Sequence, residues 1–201
     1  MAKKDLLYYI PAGQYGKEGV LSLLEQHPEI KFVSLVGIDL AGNDTDEKIP
    51  MSAFFDDYES FFEGRAVQTD GSSVVLTNIA TLNNARVDMW GDPDVNWFVD
   101  YNYENIDEAT GLPTGTLRIP AFLMHNYRYV DSRSILKRSC DYVRAELLSL
   151  IKEKGIPSMP HINPDEIVDI VFTSATELEF WVKTPSKTVT KKELSVSQRL
   201  Q

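Results

Sequence analysis

A change of character near residue 131 constrains this chain more than any other feature. Before it, short strand-like runs surround one aromatic-rich helical segment. After it, a single long amphipathic helix takes over. The run KFVSLVGIDL (31–40) is rich in β-branched and apolar residues and ends in the turn cluster AGND. AVQT (66–69), SVVLT (73–77), RVDMW (86–90), NWFVDYNY (96–103) and RIPAFLMHN (118–126) read as further strands, with a loop over 104–117 carrying Gly111, Pro113 and Gly115. A short helix is predicted over 17–27. A second helix is predicted over 52–63, capped by Ser52 and striped by Phe54, Phe55, Tyr58, Phe61 and Phe62. Such a stripe is core material. One helix among several short strands predicts an α+β fold with a curved, mixed sheet over that helix.

The second part opens at SRSILKRSCDYVRAELLSLIKEKG, capped by Asp131 or Ser132 and ended by Gly155. Ile135, Leu136, Cys140, Val143, Leu147, Leu150 and Ile151 make its apolar stripe. A proline-punctuated connection follows, and residues 166–185 then give two strand-like runs broken near Thr173–Ala175. The stop at Gln201, soon after a possible helix start, reads as a truncation.

Charge excludes some functions. Lys and Arg number 20 against 30 Asp and Glu, and the net of −10 argues against nucleic acid and anionic lipid. The apolar run near the N-terminus is broken by Pro11, and no stretch approaches a membrane span. Cys140 is the one cysteine, so no internal disulfide forms. A cytoplasmic location is expected. His27, His125 and His161 lack ligand spacing, and no phosphate-binding glycine loop is present.

Two groups of residues could carry chemistry. Glu177 and Glu179 stand at i and i+2. In a strand they share one face, with Cα atoms about 7 Å apart. That arrangement suits hard divalent cations, but the pattern alone favours a solvated strand face. Asp70-Gly71-Ser72-Ser73 can hold a carboxylate in a fixed pose to bind a cation or take a proton, or it is a plain turn. A turn around Pro93 accounts for Asp92 and Asp94, and a solvated basic face for Arg133, Lys137 and Arg138.

The order of these signals is informative. Asp70-Gly71-Ser72-Ser73, Asp88-Met89-Trp90 leading to Pro93-Asp94, Asp131-x-Arg133 through Lys137-Arg138, and Glu177-Leu178-Glu179-Phe180 follow one another. This succession resembles the N-terminal third of glutamine synthetase, over about residues 30–183. The family shows a DGSS turn, a D-M-x-x-x-P-D stretch, a D-P-R-x-x-x-K-R helix start and a G-P-E-x-E-F strand in that order. Thr69 stands where the family has Phe, and Ala175-Thr176 where it has Gly-Pro.

The resemblance implies a β-grasp-like N-terminal domain over residues 1–126, with an N-terminal extension, followed over 127–201 by the incomplete start of a catalytic domain. It implies ATP-dependent ligation of ammonium to the γ-carboxylate of glutamate through a γ-glutamyl phosphate, with Mg²⁺ or Mn²⁺. By match to the motifs, Glu177 and Glu179 would be metal ligands, and Asp70, assisted by Ser73, would attract and deprotonate ammonium. In this family the Asp70 turn serves the active site of a neighbouring subunit, so a homo-oligomer is implied. The remaining catalytic elements of the family are expected beyond Gln201, leaving this chain inactive by itself. A related γ-glutamyl–amine ligase and a non-catalytic binding or assembly relative are the alternatives.

Overall fold

The computed structural model describes residues 5–175 together with Glu177 and Glu179. Its centre is a strand of 13 residues whose two halves serve different neighbours. In chain order the strands are β1 (Tyr9–Ile10), β2 (Ile30–Ile38), β3 (Asp44–Pro50), β4 (Val67–Asp70), β5 (Arg86–Gly91), β6 (Trp97–Ile106), β7 (Pro113–His125) and β8 (Arg128–Tyr129). The helices are α1 (Lys17–Glu25), α2 (Met51–Asp56) and α3 (Ser132–Lys154). The first half of β7 lies between β6, antiparallel, and β2, parallel. Its second half pairs with β5 and β8, both antiparallel, and β4 joins beyond β5. Strand β3 pairs with β2, and β1 with β6. The result is the expected α+β fold with a mixed sheet and few helices, an arrangement compatible with a β-grasp-like domain.

Period-two alternation builds the core. Leu117, Ile119, Ala121 and Leu123 of β7 face the same side as Val33 and Leu35 of β2, and all six are fully buried. Onto them pack Val20 and Leu24 of α1 and Phe54 of α2, with Phe61, Val87 and Met89. Phe54 meets Phe61 edge-on at 5.0 Å and Trp97 at 6.4 Å between ring centroids. Each such side chain contributes about 1.5–3 kcal/mol of transfer free energy. The other sheet face is polar at its centre. There Arg118 on β7 bridges Asp46 on β3 (2.8 Å) and Asp100 on β6 (3.1 Å), and Ser34 hydrogen-bonds Asp46.

Several expectations are corrected. The helix expected over 52–63 divides into α2 and a 3-10 turn over Tyr58–Phe61, because Asp57 adopts φ −141°, ψ 61° between them. Pro50 precedes its first turn and Ser52 makes no cap. The aromatic stripe keeps its core role through Phe54 and Phe61. Residues 104–117 are no simple loop: β6 runs to Ile106 and β7 begins at Pro113, around a turn tied by Asp107 and Thr110. Residues 73–77 form no strand and belong to the loop after β4. Strand β3, DTDEKIP, has no hydrophobic alternation to announce it, since it is a mostly exposed edge strand.

Helix α3 is capped as expected, by Asp131. One carboxylate oxygen accepts from the Ser134 N–H (2.7 Å), and the other from Leu123 N–H of β7 (3.1 Å) and the Ser134 hydroxyl (2.6 Å). Gly155 ends it at φ +69°. Its stripe is not buried: Leu136, Val143, Leu147 and Leu150 are exposed. The two strands expected over 166–185 do not form across residues 167–175, 177 and 179. This segment lies against α3, where Arg144 pairs with Asp169 at 2.5 Å. A helix has spent its backbone groups internally and offers an extended segment no ladder. The rest of that span lies outside the described residues. Among the described residues no helix is long and apolar enough to cross a membrane.

Candidate functional site

Asp70 ends β4, opposite Arg86 of β5, and the chain then turns through a 3-10 helix over Gly71–Ser73. Its carboxylate is exposed and accepts from the Ser72 N–H at 2.9 Å. That backbone bond, the Ser72 hydroxyl second, holds the carboxyl below the usual aspartate range, against a small opposing effect of burial. Ser73 is likewise exposed. The turn therefore presents a fixed anion to solvent, ionised throughout the neutral range.

Both ends of the turn are anchored. Gly71 N–H donates to the Ala85 carbonyl (2.8 Å), and Val74 N–H closes the turn on the Gly71 carbonyl (3.1 Å). Glycine is required at 71 by space: a Cβ there would lie 2.8 Å from Leu82 Cβ and 2.9 Å from the Ala85 oxygen, and closer still to the Leu82 oxygen. One residue further, Val75 N–H donates to Asp39 Oδ2 (2.9 Å) and Leu40 N–H donates to the Val75 carbonyl (3.2 Å). A cleft of about 280 Å³ lies under the following loop, lined by Gly71, Ser72, Val74, Val75 and Leu82 among others. On that loop Ile79 is 73% exposed.

Asp39 is fully buried in the β2–β3 turn. Besides Val75, it accepts from the backbone N–H groups of Ala41 and Asn43 and from the Asn43 side chain, each at 2.9 Å. Burial pushes its carboxyl up, but the Asn43 amide and the Val75, Asn43 and Ala41 N–H groups outweigh this and hold it below the usual range. Sequence reasoning saw only a turn cluster here. The available signal was an aspartate opening a Gly-Asn turn after a largely apolar strand.

The second and third motifs meet. Asp92 is buried, and its carboxylate accepts from Arg133 Nη2 at 2.6 Å and from Asp94 N–H at 3.0 Å. Arg133 also lies over the Phe122 ring, 4.9 Å from its centroid. The turn at Pro93 thus explains Asp94, but Arg133 is a clamp from α3 to the sheet and no solvated base. Asp88 borders a cleft of about 400 Å³ with Arg86, Trp90, His125, Asn126 and Tyr127. His125 Nδ1 donates to the Arg86 carbonyl (2.9 Å), which leaves Nε2 to accept from the Asn126 amide (2.9 Å).

Glu177 and Glu179 are exposed and neither is assigned to a strand, and the residues between and beyond them, 178 and 180–185, lie outside the described residues. No hydrogen bond or ion pair joins them to the Asp70 turn among the described residues. No three acidic, histidine or cysteine side chains converge to hold a metal ion among the described residues either. A magnesium-like ion takes about six oxygen ligands, waters included. Among the described residues Glu177 and Glu179 offer two exposed carboxylates, the number through which magnesium is commonly held beside waters and substrate phosphates.

No protein-family model matches the chain. No curated protein matches it. Among solved structures, the Plasmodium falciparum glutamine synthetase determined by cryo-electron microscopy is similar at 14% sequence identity and a TM-score of 0.45, over 68% of this chain and 24% of that one. The chain thus spans about a quarter of the length of that protein.

Proposed function

We propose that this chain is the N-terminal portion of a glutamine synthetase-like ligase, a cytoplasmic homo-oligomer that joins ammonium to the γ-carboxylate of glutamate at the expense of ATP. The observation that carries the reading is Asp70, an exposed carboxylate at a sheet end fixed by the Ser72 N–H; in this reading a neighbouring protomer would complete the site around it. The order of the four sequence motifs supports the same reading.

In this proposal Asp70 attracts ammonium as a point charge, and Ser73 beside it supplies a hydroxyl to orient the nitrogen. The lowered pKa favours the first task over proton removal, because a weak base holds a proton poorly. A more basic group would take one proton from ammonium before attack; the neutral nitrogen would then add to the γ-carbonyl carbon of the γ-glutamyl phosphate, the C–O bond to phosphate would break, and the departing phosphate would take the bonding pair and the second N–H proton. Mg²⁺ or Mn²⁺ would be held by Glu177 and Glu179 together with ligands outside the described residues.

The test is ADP release by the protein encoded by the complete reading frame, with each substrate omitted in turn. Release that requires glutamate, ammonium and a divalent cation together is the expected result. Release supported by methylamine but not ammonium would move the assignment to an amine ligase. No release under any combination would remove the ligase reading.

A further inference from the structure

We infer that Asp39 is a positioning residue for the Asp70 turn, a role that deepens the proposed function and rests on it only for its catalytic meaning. The turn hangs between two supports. On the upstream side, β4–β5 pairing and the bond from Gly71 N–H to the Ala85 carbonyl fix Asp70 and Gly71. On the downstream side Val75 is held at both its backbone groups, its N–H by Asp39 Oδ2 and its carbonyl by Leu40 N–H. Three residues, Ser72 to Val74, separate the supports, and Val74 N–H closes on the Gly71 carbonyl. Releasing Val75 frees the closing end of the turn, and the Ser72 N–H that fixes the Asp70 carboxylate lies within it.

The carboxylate of Asp39 is suited to this task and asparagine is not. Both Asp39 oxygens accept two hydrogen bonds, for four donors in all. An amide offers one oxygen and two further donors, so its NH₂ would face either the Val75 N–H or the Ala41 and Asn43 N–H groups. Because Asp39 is fully buried, no water replaces the missing acceptor. It lies 36 residues from Val75, so the link is a tertiary contact and no local cap.

The experiment uses this chain itself. In Asp39→Asn, the Asp70 carboxyl titration and the amide exchange of Ser72 and Val75 are followed by NMR. Ser134→Ala, which weakens the α3 cap, serves as a control for general destabilisation. We expect the Asp70 midpoint to rise toward the ordinary aspartate value in Asp39→Asn and to stay fixed in Ser134→Ala. Exchange at Val75 should accelerate at least about tenfold more than at core amides such as Leu117. Should Asp39→Asn not fold, Asn43→Ala keeps the carboxylate but removes one of its four partners, and it should shift Asp70 in the same direction by less.

An unchanged Asp70 midpoint in a folded Asp39→Asn, or in Asn43→Ala if that variant is the one available, overturns the role. In the complete protein the same substitution should raise KM for ammonium more than KM for ATP. A moved Asp70 midpoint without any ligase activity would leave the positioning role standing and remove the ligase reading alone.

Discussion

Replacing Gly71 by alanine puts a single methyl group into the best-anchored point of the candidate site. The new carbon would stand 2.8 Å from Leu82 Cβ and 2.9 Å from the Ala85 oxygen, where ordinary contacts begin at 3.4 Å. Both walls must therefore retreat, the Ala85 oxygen by about 0.5 Å and the Leu82 side by more because its carbonyl oxygen is the nearest atom, and both walls include backbone atoms. The same movement stretches the 2.8 Å bond from Gly71 N–H to the Ala85 carbonyl. Overpacking of this kind costs about 1–3 kcal/mol, and loss of the hydrogen bond adds about 1 kcal/mol. The expected destabilisation is about 2–4 kcal/mol. With a urea m-value of about 2 kcal/mol/M, the unfolding midpoint drops by about 1–2 M. Gly16→Ala is the internal comparison, since Gly16 has φ −75° and nothing within 4 Å of its Cβ position. Its midpoint should move by less than about 0.3 M. Equal midpoints for the two variants would refute the steric argument and the fixed geometry of the turn with it.

Asp131→Ala removes an N-cap and leaves the buried Leu123 N–H without its acceptor, so urea unfolding should show a loss of about 2–4 kcal/mol; a loss below about 0.5 kcal/mol would contradict the clamp between α3 and β7. The buried Asp39 carboxyl titrates below the usual aspartate range, so its stabilisation is present above the unfolded value and is lost as pH falls through the depressed native one. A pH series of thermal unfolding should accordingly fall more steeply for the wild type than for Asp39→Asn below the ordinary aspartate range, and parallel curves would count against it.

Much of the architecture is legible in the sequence where hydrophobic period and burial coincide. Val33 and Leu35 in β2, Val87 and Met89 in β5, and Leu117 to Leu123 in β7 alternate as a half-buried sheet demands. Asp131 and Gly155 mark the ends of α3 through their own local chemistry. Elements whose existence depends on a distant partner are not legible. Strand β3 is a polar edge recruited by β2, and the pairing of Arg118 with Asp46 and Asp100 is what anchors it across the sheet. Residues 166–172 have strand composition but no neighbouring strand among the described residues.

The site divides in the same way. The turn at Asp70 is readable because Asp, Gly and Ser create it from within four residues. Its anchor at Asp39 is 36 residues away from the Val75 it holds and carries no local mark of that contact. Arg133 and Asp92 each have a sufficient local explanation, a helix face and a proline turn, and only the fold brings them within 2.6 Å.

The ammonium dependence of ADP release in an Asp70→Ala variant of the complete protein addresses the central claim most directly. If Asp70 draws in the nitrogen donor, KM for ammonium rises by about a hundredfold, equivalent to about 2.7 kcal/mol of lost binding, while KM for ATP changes by less than about twofold. Equal losses for both substrates, or none for either, would contradict it.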